Sequence, residues 1–192
     1  LWTRSLVISS SATVYSFTAM LCSFLLGIFL GSTLVSTRVD EHPAPLRLFA
    51  GLELGVAVSL AILCLAVNAT PDVFGRLLGG VSTLVAPEHA LVLTTLGVSL
   101  LVLIVPTTLL GATFAVALRA YTTSVAQVGL RSGNLYFSNT LGAILGSLFA
   151  GLVLVPAFGL KVTLAGIALL FLATGIMLEW AHAEGRLVGK AG

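Results

Sequence analysis

Apolar residues fall into long runs along the chain, and short polar segments separate these runs. A helix needs about 20 apolar residues to cross the hydrocarbon core of a bilayer. The apolar runs predict five membrane spans, at residues 13–35, 48–67, 90–118, 135–155 and 162–178. A shorter segment, 73–85, has apolar residues at helical spacing among three glycines and Arg76, which is typical of a helix at the membrane interface.

Prolines and glycines mark the ends of these runs or interrupt them. Segment 36–45 contains two prolines among charged residues and predicts a loop, and Pro156 and Gly159 predict a turn between the last two spans. Pro106 lies within the third span. It predicts a kink that frees a backbone carbonyl, and the two threonines after it are placed to bond that carbonyl.

The composition supports this division of the chain. Hydrophobic residues make up 58% of the 192 residues and charged residues 8%, whereas soluble domains carry about 25% charged residues. The sequence therefore predicts one all-α transmembrane bundle over residues 1–192, with the lipid bilayer as its main partner. Residues 1–4 resemble the end of an earlier helix and include no initiator methionine, so we expect a fragment of a longer protein.

The net charge of +2 is too small to indicate nucleic-acid binding. The positions of the basic residues are more informative, because cytoplasmic loops are enriched in lysine and arginine. Placing the loop after the first span in the cytoplasm puts six basic residues on that side and three on the other. The C-terminus is then cytoplasmic, and Lys161 lies outside.

Small residues recur four positions apart and so share a helix face. The pairs are Gly27 and Gly31, Gly51 and Gly55, and Gly142 and Gly146, with Gly151 continuing the last stripe. Such faces allow close contact between membrane helices, so they predict packing within the bundle. The alternative is a moving seam between two bundles, as in transporters.

Glu53 is the most unusual residue of the predicted spans, because a carboxylate inside a membrane needs a partner or a proton. One hypothesis is a hydrogen-bonded group near the cytoplasmic boundary, and the other is a cation or proton site. We expect Glu53 to face the bundle interior and to bond to Arg119 or Arg131, or to hydroxyl and amide groups such as Asn139. The sequence has no cofactor motif, metal-ligand cluster or catalytic set, and Cys22 and Cys64 are interpreted as packing residues.

Several segments resemble the membrane region of bacterial spermidine synthase-like proteins. They are Leu1-Trp2-Thr3-Arg4, Val14 to Phe17, Phe24 to Ser32, Leu52-Glu53-Leu54-Gly55, Pro106 to Ala120 and Gly133 to Ala143, of which Tyr136 to Gly142 is the most specific. The resemblance implies a membrane domain that precedes an aminopropyltransferase-like enzyme domain. That enzyme half is absent from this sequence, so no catalytic residue is carried over.

The resemblance also implies a six-helix half similar to those of major facilitator transporters, in the inner membrane of a bacterium. Three functions remain open. The chain is a membrane domain that anchors or serves a soluble aminopropyltransferase-like domain, a transporter half for a small cationic solute, or a non-catalytic subunit of a larger membrane complex. Whether the protein is an enzyme depends on a domain outside this sequence.

Overall fold

The computed structural model describes residues 13–39, 44–121 and 128–188, and every regular element in these ranges is helical. The helices are α1 (Thr13–Val39), α2 (Pro45–Ala66), α3 (Thr70–Val81), α4 (Pro87–Tyr121), α5 (Val128–Phe149) and α6 (Val155–Val188). A 3₁₀ turn, Val67–Ala69, joins α2 to α3, and a π-helical turn, Ala150–Leu154, joins α5 to α6. The predicted helix end at residues 1–4 lies outside the described ranges.

Four helical stretches are long and apolar enough to cross a membrane. They are Ser16–Thr37, Pro45–Val81, His89–Tyr121 and Gly129–Ala183. These stretches confirm the all-α prediction and indicate a membrane protein. The last stretch is 55 residues long and includes both of the last two predicted spans.

The α5–α6 junction differs from the simple turn that the sequence predicted. Pro156 has no N–H, and its ring would clash with the carbonyl four residues earlier in a regular helix. The preceding turn, Ala150–Leu154, is widened to a π helix, and helical structure continues through Pro156. The break falls at Gly159, whose φ of 79° and ψ of 170° suit only glycine. At the other end, α6 continues to Val188, ten residues beyond the last predicted span, 162–178.

Helix α3 corresponds to the predicted interfacial segment 73–85, but it begins three residues earlier and ends four residues earlier. Its Phe74 is 4% exposed and packs with Val98 of α4, which ties α3 to the bundle. Helix α4 continues through Pro106. Thr107 donates its hydroxyl to the carbonyl of Leu103 at 2.6 Å, so it does not bond the Val102 carbonyl that Pro106 leaves free.

Helices α1 and α4 pack side by side over much of their length, and glycines set their separation. A Cβ on Gly27 would overlap the Thr107 side chain, and one on Gly31 would overlap the backbone carbonyl of Thr108. Gly111 of α4 is in turn covered by the backbone of Ile28. The paired residue numbers rise together along both helices, so α1 and α4 run parallel.

Helix α2 packs against both α4 and α6. Leu54 of α2 lies against Gly175 of α6, and the Cys64 thiol donates to the carbonyl of Lys161 at 3.5 Å. Residue numbers rise along α2 as they fall along α6, so these helices are antiparallel. Beyond these contacts, Val67, Leu103 and Leu164 form one buried cluster that joins the 3₁₀ turn after α2 to α4 and α6.

The interior of the bundle is lined with small residues, whereas many large apolar residues face outward. The fully buried side chains include Ser16, Ser23, Thr94, Thr95 and Ser99. Ser23, Thr95 and Ser99 each donate their hydroxyl to the carbonyl four residues earlier in the same helix. Large side chains such as Phe29 and Leu65 are exposed. This distribution is the one expected of helices surrounded by lipid.

Helix α5 contacts α4 near its beginning, where the Tyr136 and Phe114 rings meet edge to face with centroids 4.9 Å apart. After Tyr136 its side chains are exposed as far as Phe149. Outside the neighbouring residues of its own helix, no described atom lies within 4 Å of a Cβ built on Gly142, Gly146 or Gly151. The expected packing of these three glycines on a helix of the same chain is therefore not found among the described residues, because α5 diverges from α4 before it reaches them.

In the remaining pair, Gly55 faces another helix and Gly51 does not. A Cβ on Gly55 would make ordinary contact with Leu109 at 3.4 Å, and one on Gly51 would meet open space.

Gly31→Ala tests the α1–α4 contact directly. The new methyl group would meet backbone atoms of α4, which cannot rotate away, so we expect a loss of about 1–3 kcal/mol in the free energy of unfolding. Thermal melting of the detergent-solubilised protein measures the change. Gly146→Ala is the matched control and should melt at or slightly above the parent temperature, because alanine favours a helix over glycine. Equal melting of Gly31→Ala and the parent would contradict the close contact.

Candidate functional site

A buried carboxylate lies between α2 and α6. Glu53 is 8% exposed, and the Thr174 hydroxyl oxygen lies within hydrogen-bond distance of its Oε2 atom, at 3.0 Å. Thr174 itself is exposed, so it lies between Glu53 and the outer surface of the bundle. A carboxyl group and a hydroxyl at this distance can share a proton or contribute two oxygen ligands to a cation.

Small residues on both helices bring these two side chains together. Ala50 and Ala57 lie on the same face of α2 as Glu53, one turn to either side, and both are buried. A Cβ on Gly175 would lie 2.8 Å from Leu54 and 3.2 Å from the Ala50 carbonyl. Because Gly175 has no side chain, α6 can approach α2 closely enough for Thr174 to reach Glu53.

An ion pair joins the same two helices nearer to their ends. Arg47 Nε lies 3.8 Å from Glu179 Oε1, and the two side chains are 59% and 38% exposed. Glu53 lies six residues further along α2, or about 9 Å along the helix axis. Exposed pairs of this kind contribute about 0–1 kcal/mol, so the pair aligns the helices more than it stabilises them.

The structure does not bring the expected partners of Glu53 to it. Arg131 donates to the Tyr121 carbonyl at 2.8 Å and lies over the Tyr121 ring. Arg119 is exposed near the end of α4, and Asn139 is exposed on α5. Both arginines therefore lie near the α4–α5 connection, away from the contact between α2 and α6.

Sequence reasoning missed Thr174, Arg47 and Glu179 as the polar residues of the α2–α6 contact. Thr174 gave a weak signal, since a single threonine in an apolar run can bond to its own helix. The relative register of the two helices could have identified it. Antiparallel pairing of spans 48–67 and 162–178 with Arg47 opposite Glu179 places Thr174 close to Glu53.

Two grooves on the surface of the described bundle are almost entirely apolar. One, of about 330 Å³, lies between α1 and α4 and is lined by Phe17, Phe24 and Pro106 among others. The other, of about 410 Å³, lies between α2 and α6 beyond Ala57 and includes Cys64 and Leu172. Such linings match lipid chains or apolar side chains better than a charged solute.

Described His, Cys, Asp and Glu side chains form no group of three that could hold a metal ion. Both cysteines are free thiols: Cys22 is exposed on α1, and Cys64 is partly buried in α2. Between α2 and α6, the described structure instead brings together the side chains of two polar pairs, Glu53 with Thr174 and Arg47 with Glu179.

The fold and the site define a class: an all-helical protein whose helices are long and apolar enough to cross a membrane, with a buried carboxylate between two of them. No family model, no curated protein and no solved structure matches the chain. The relation to spermidine synthase-like proteins therefore remains a prediction that rests on the residues quoted above.

Thr174→Val should destabilise the α2–α6 contact. Valine keeps the shape of the side chain but leaves the buried Glu53 carboxyl group without its hydroxyl partner, at a cost of about 1–3 kcal/mol in the free energy of unfolding. Thr174→Ser, which keeps the hydroxyl, should stay close to the parent. Thermal melting in detergent compares the three proteins, and a Val variant as stable as the Ser variant would show that the hydrogen bond contributes nothing.

Proposed function

We propose that this chain is the membrane domain of a spermidine synthase-like protein, and that it anchors a soluble aminopropyltransferase-like domain at the cytoplasmic side of a bacterial inner membrane. The observation that carries the proposal is the use of polar side chains in the described bundle. Glu53 with Thr174 and Arg47 with Glu179 join helices to each other, while the two grooves described above are almost entirely apolar. These features favour a scaffold.

The scaffold role also agrees with the unequal packing of the helices. Helices α1 and α4 are locked by backbone contact, and α2 is joined to both α4 and α6. A bundle held by such contacts is suited to fix the position of an attached domain. The resemblance of Tyr136 to Gly142 supports the family, and the cytoplasmic side follows from the distribution of basic residues.

The proposal includes five membrane spans, and the directions of the described helices support this number. Gly55 faces Leu109 while Val67, just after α2, meets Leu103, so α4 is antiparallel to α2. Helix α6 is also antiparallel to α2, and α4 and α6 are therefore parallel. Helix α5 is antiparallel to α4, since Arg131 meets Tyr121 while Tyr136 meets Phe114. The chain therefore has to return across the bundle between Tyr121 and Lys161. Gly159 provides a break where α5 and α6 can be separate spans.

A transporter half for a small cationic solute is the second candidate, and Glu53 is the observation that favours it. A buried carboxylate could bind a cation or a proton during transport. The bundle would then move along the α2–α6 contact, where Gly175 allows close approach. Uptake of a polyamine by proteoliposomes, abolished by Glu53→Gln, would favour this function over the scaffold.

The coding sequence downstream of the Gly192 codon gives the most direct test of function. We expect a glycine-rich βαβ domain there, and membrane fractions containing the whole protein should transfer aminopropyl groups to an amine. Separate expression of that domain should release the activity into the soluble fraction. Six further apolar spans would instead support the transporter, and a stop codon the subunit of a larger complex.

Cysteine labelling tests the five spans. In a chain with Cys22 and Cys64 replaced by alanine, Lys161→Cys should react with a membrane-impermeant maleimide added to intact spheroplasts. Lys190→Cys should react only after the membrane is permeabilised. The two positions behave differently because the last predicted span, 162–178, separates Lys161 from Lys190. Labelling of both positions from the same side would contradict the topology.

A further inference from the structure

We propose that Glu53 is a proton-binding site, in which a neutral carboxylic acid donates its hydrogen bond to the hydroxyl oxygen of Thr174. The ligand of this site is a proton, and the groups that hold it are on α2 and α6. The proposal goes beyond the scaffold function and is independent of any soluble domain.

The hydrogen bonds of Thr174 provide the first argument. Its hydroxyl oxygen lies 3.0 Å from Glu53 Oε2, 3.1 Å from the Leu170 carbonyl and 3.0 Å from the Phe171 carbonyl. A hydroxyl has one hydrogen to donate and two lone pairs that accept. If Glu53 were ionised, all three of these oxygens would compete for that one hydrogen. If Glu53 is protonated, it donates to Thr174, and Thr174 donates to its own helix.

The surroundings of Glu53 provide the second argument. Its side chain is flanked by the buried Ala50 and Ala57 on its own helix and by Gly175 on α6. An ionised carboxylate inside the apolar part of a membrane costs several kcal/mol unless a cation compensates it. Within the described chain, Glu53 has its hydrogen bond with Thr174, a neutral group.

The charged groups on the helices around Glu53 are placed toward the helix ends. Near the same end of the bundle lie Arg47 on α2, Arg119 on α4, and Glu179 and His182 on α6; Lys161 and His89 lie near the opposite ends of α6 and α4. Arg47, the charge nearest along α2, already has Glu179 as its counterion at 3.8 Å. The arrangement leaves the proton as the simplest means of neutralising Glu53.

The carboxyl group lies close to the surface of the described bundle. Glu53 is 8% exposed, and Thr174, with which it shares a hydrogen bond, is exposed. The ion pair at the helix ends lies about 9 Å away along α2, at 1.5 Å per residue, and marks the nearer aqueous side. Uptake and release of the proton would change which hydrogen bond Thr174 makes, and therefore the contact between α2 and α6.

Infrared difference spectroscopy measures the protonation state of Glu53, and no reagent has to reach the site. The spectrum of the parent minus that of Glu53→Gln, in liposomes near neutral pH, should contain the carbonyl stretching band of a protonated carboxylic acid. That band should shift to lower frequency in D₂O. In Thr174→Val, where the hydrogen bond is lost, it should shift to higher frequency, whereas Thr174→Ser should leave it in place. A carboxylate band in the difference spectrum, in place of the carbonyl band, would overturn the proposal.

Chemical labelling gives a second readout on the same protein. Dicyclohexylcarbodiimide takes the proton of a carboxylic acid on one nitrogen while the carboxyl oxygen attacks its central carbon, and the adduct rearranges to a stable N-acylurea. We expect one reagent molecule on the peptide that contains Glu53, and none on that peptide in Glu53→Gln. Glu179→Gln is the matched control and should keep the label. Loss of the Glu53 label in Glu179→Gln, with the fold intact by melting, would contradict a self-contained site.

Discussion

The contact between the backbones of α1 and α4 is the constraint on which the rest of the bundle depends. In lipid, helices gain little by burying apolar surface, so they associate through close packing and hydrogen bonds. Gly27, Gly31 and Gly111 supply that packing, because each lies where a side chain would overlap the neighbouring helix. Helix α4, fixed in this way against α1, is the surface on which α2 and α3 pack.

Polar contacts act on a different pair of helices. Between α2 and α6, Gly175 allows the approach, and the Glu53–Thr174 and Arg47–Glu179 pairs fix the register. A shift of one turn would leave the Glu53 carboxyl group without its hydroxyl partner. The α2–α6 contact is therefore specified by polar pairs at particular positions, whereas the α1–α4 contact is specified by shape along the helices. This difference makes α2–α6 the contact that a change of protonation can alter.

The sequence predicted the helical class and most helix positions, because long apolar runs have few other structures available in lipid. It was less accurate at the junctions. Pro156 and Gly159 together predicted a turn between the last two spans, and the break does fall at Gly159, but a π turn accommodates Pro156 and helical structure continues through it. Glu53 was identified because a lone carboxylate in an apolar run is conspicuous. Its partner was not, since Thr174 lies 121 positions away and only the register of two helices brings them together.

The glycine pairs show why sequence spacing alone cannot assign a contact. Gly27 with Gly31 and Gly142 with Gly146 have the same four-residue spacing, yet the first pair touches α4 and the second faces no described atom. Spacing determines only that two small residues share a helix face. Which face is used depends on where the rest of the helix is held, and α5 is held to α4 only near its beginning, at Arg131 and Tyr136. The same local pattern therefore gives a locked contact on α1 and an open face on α5.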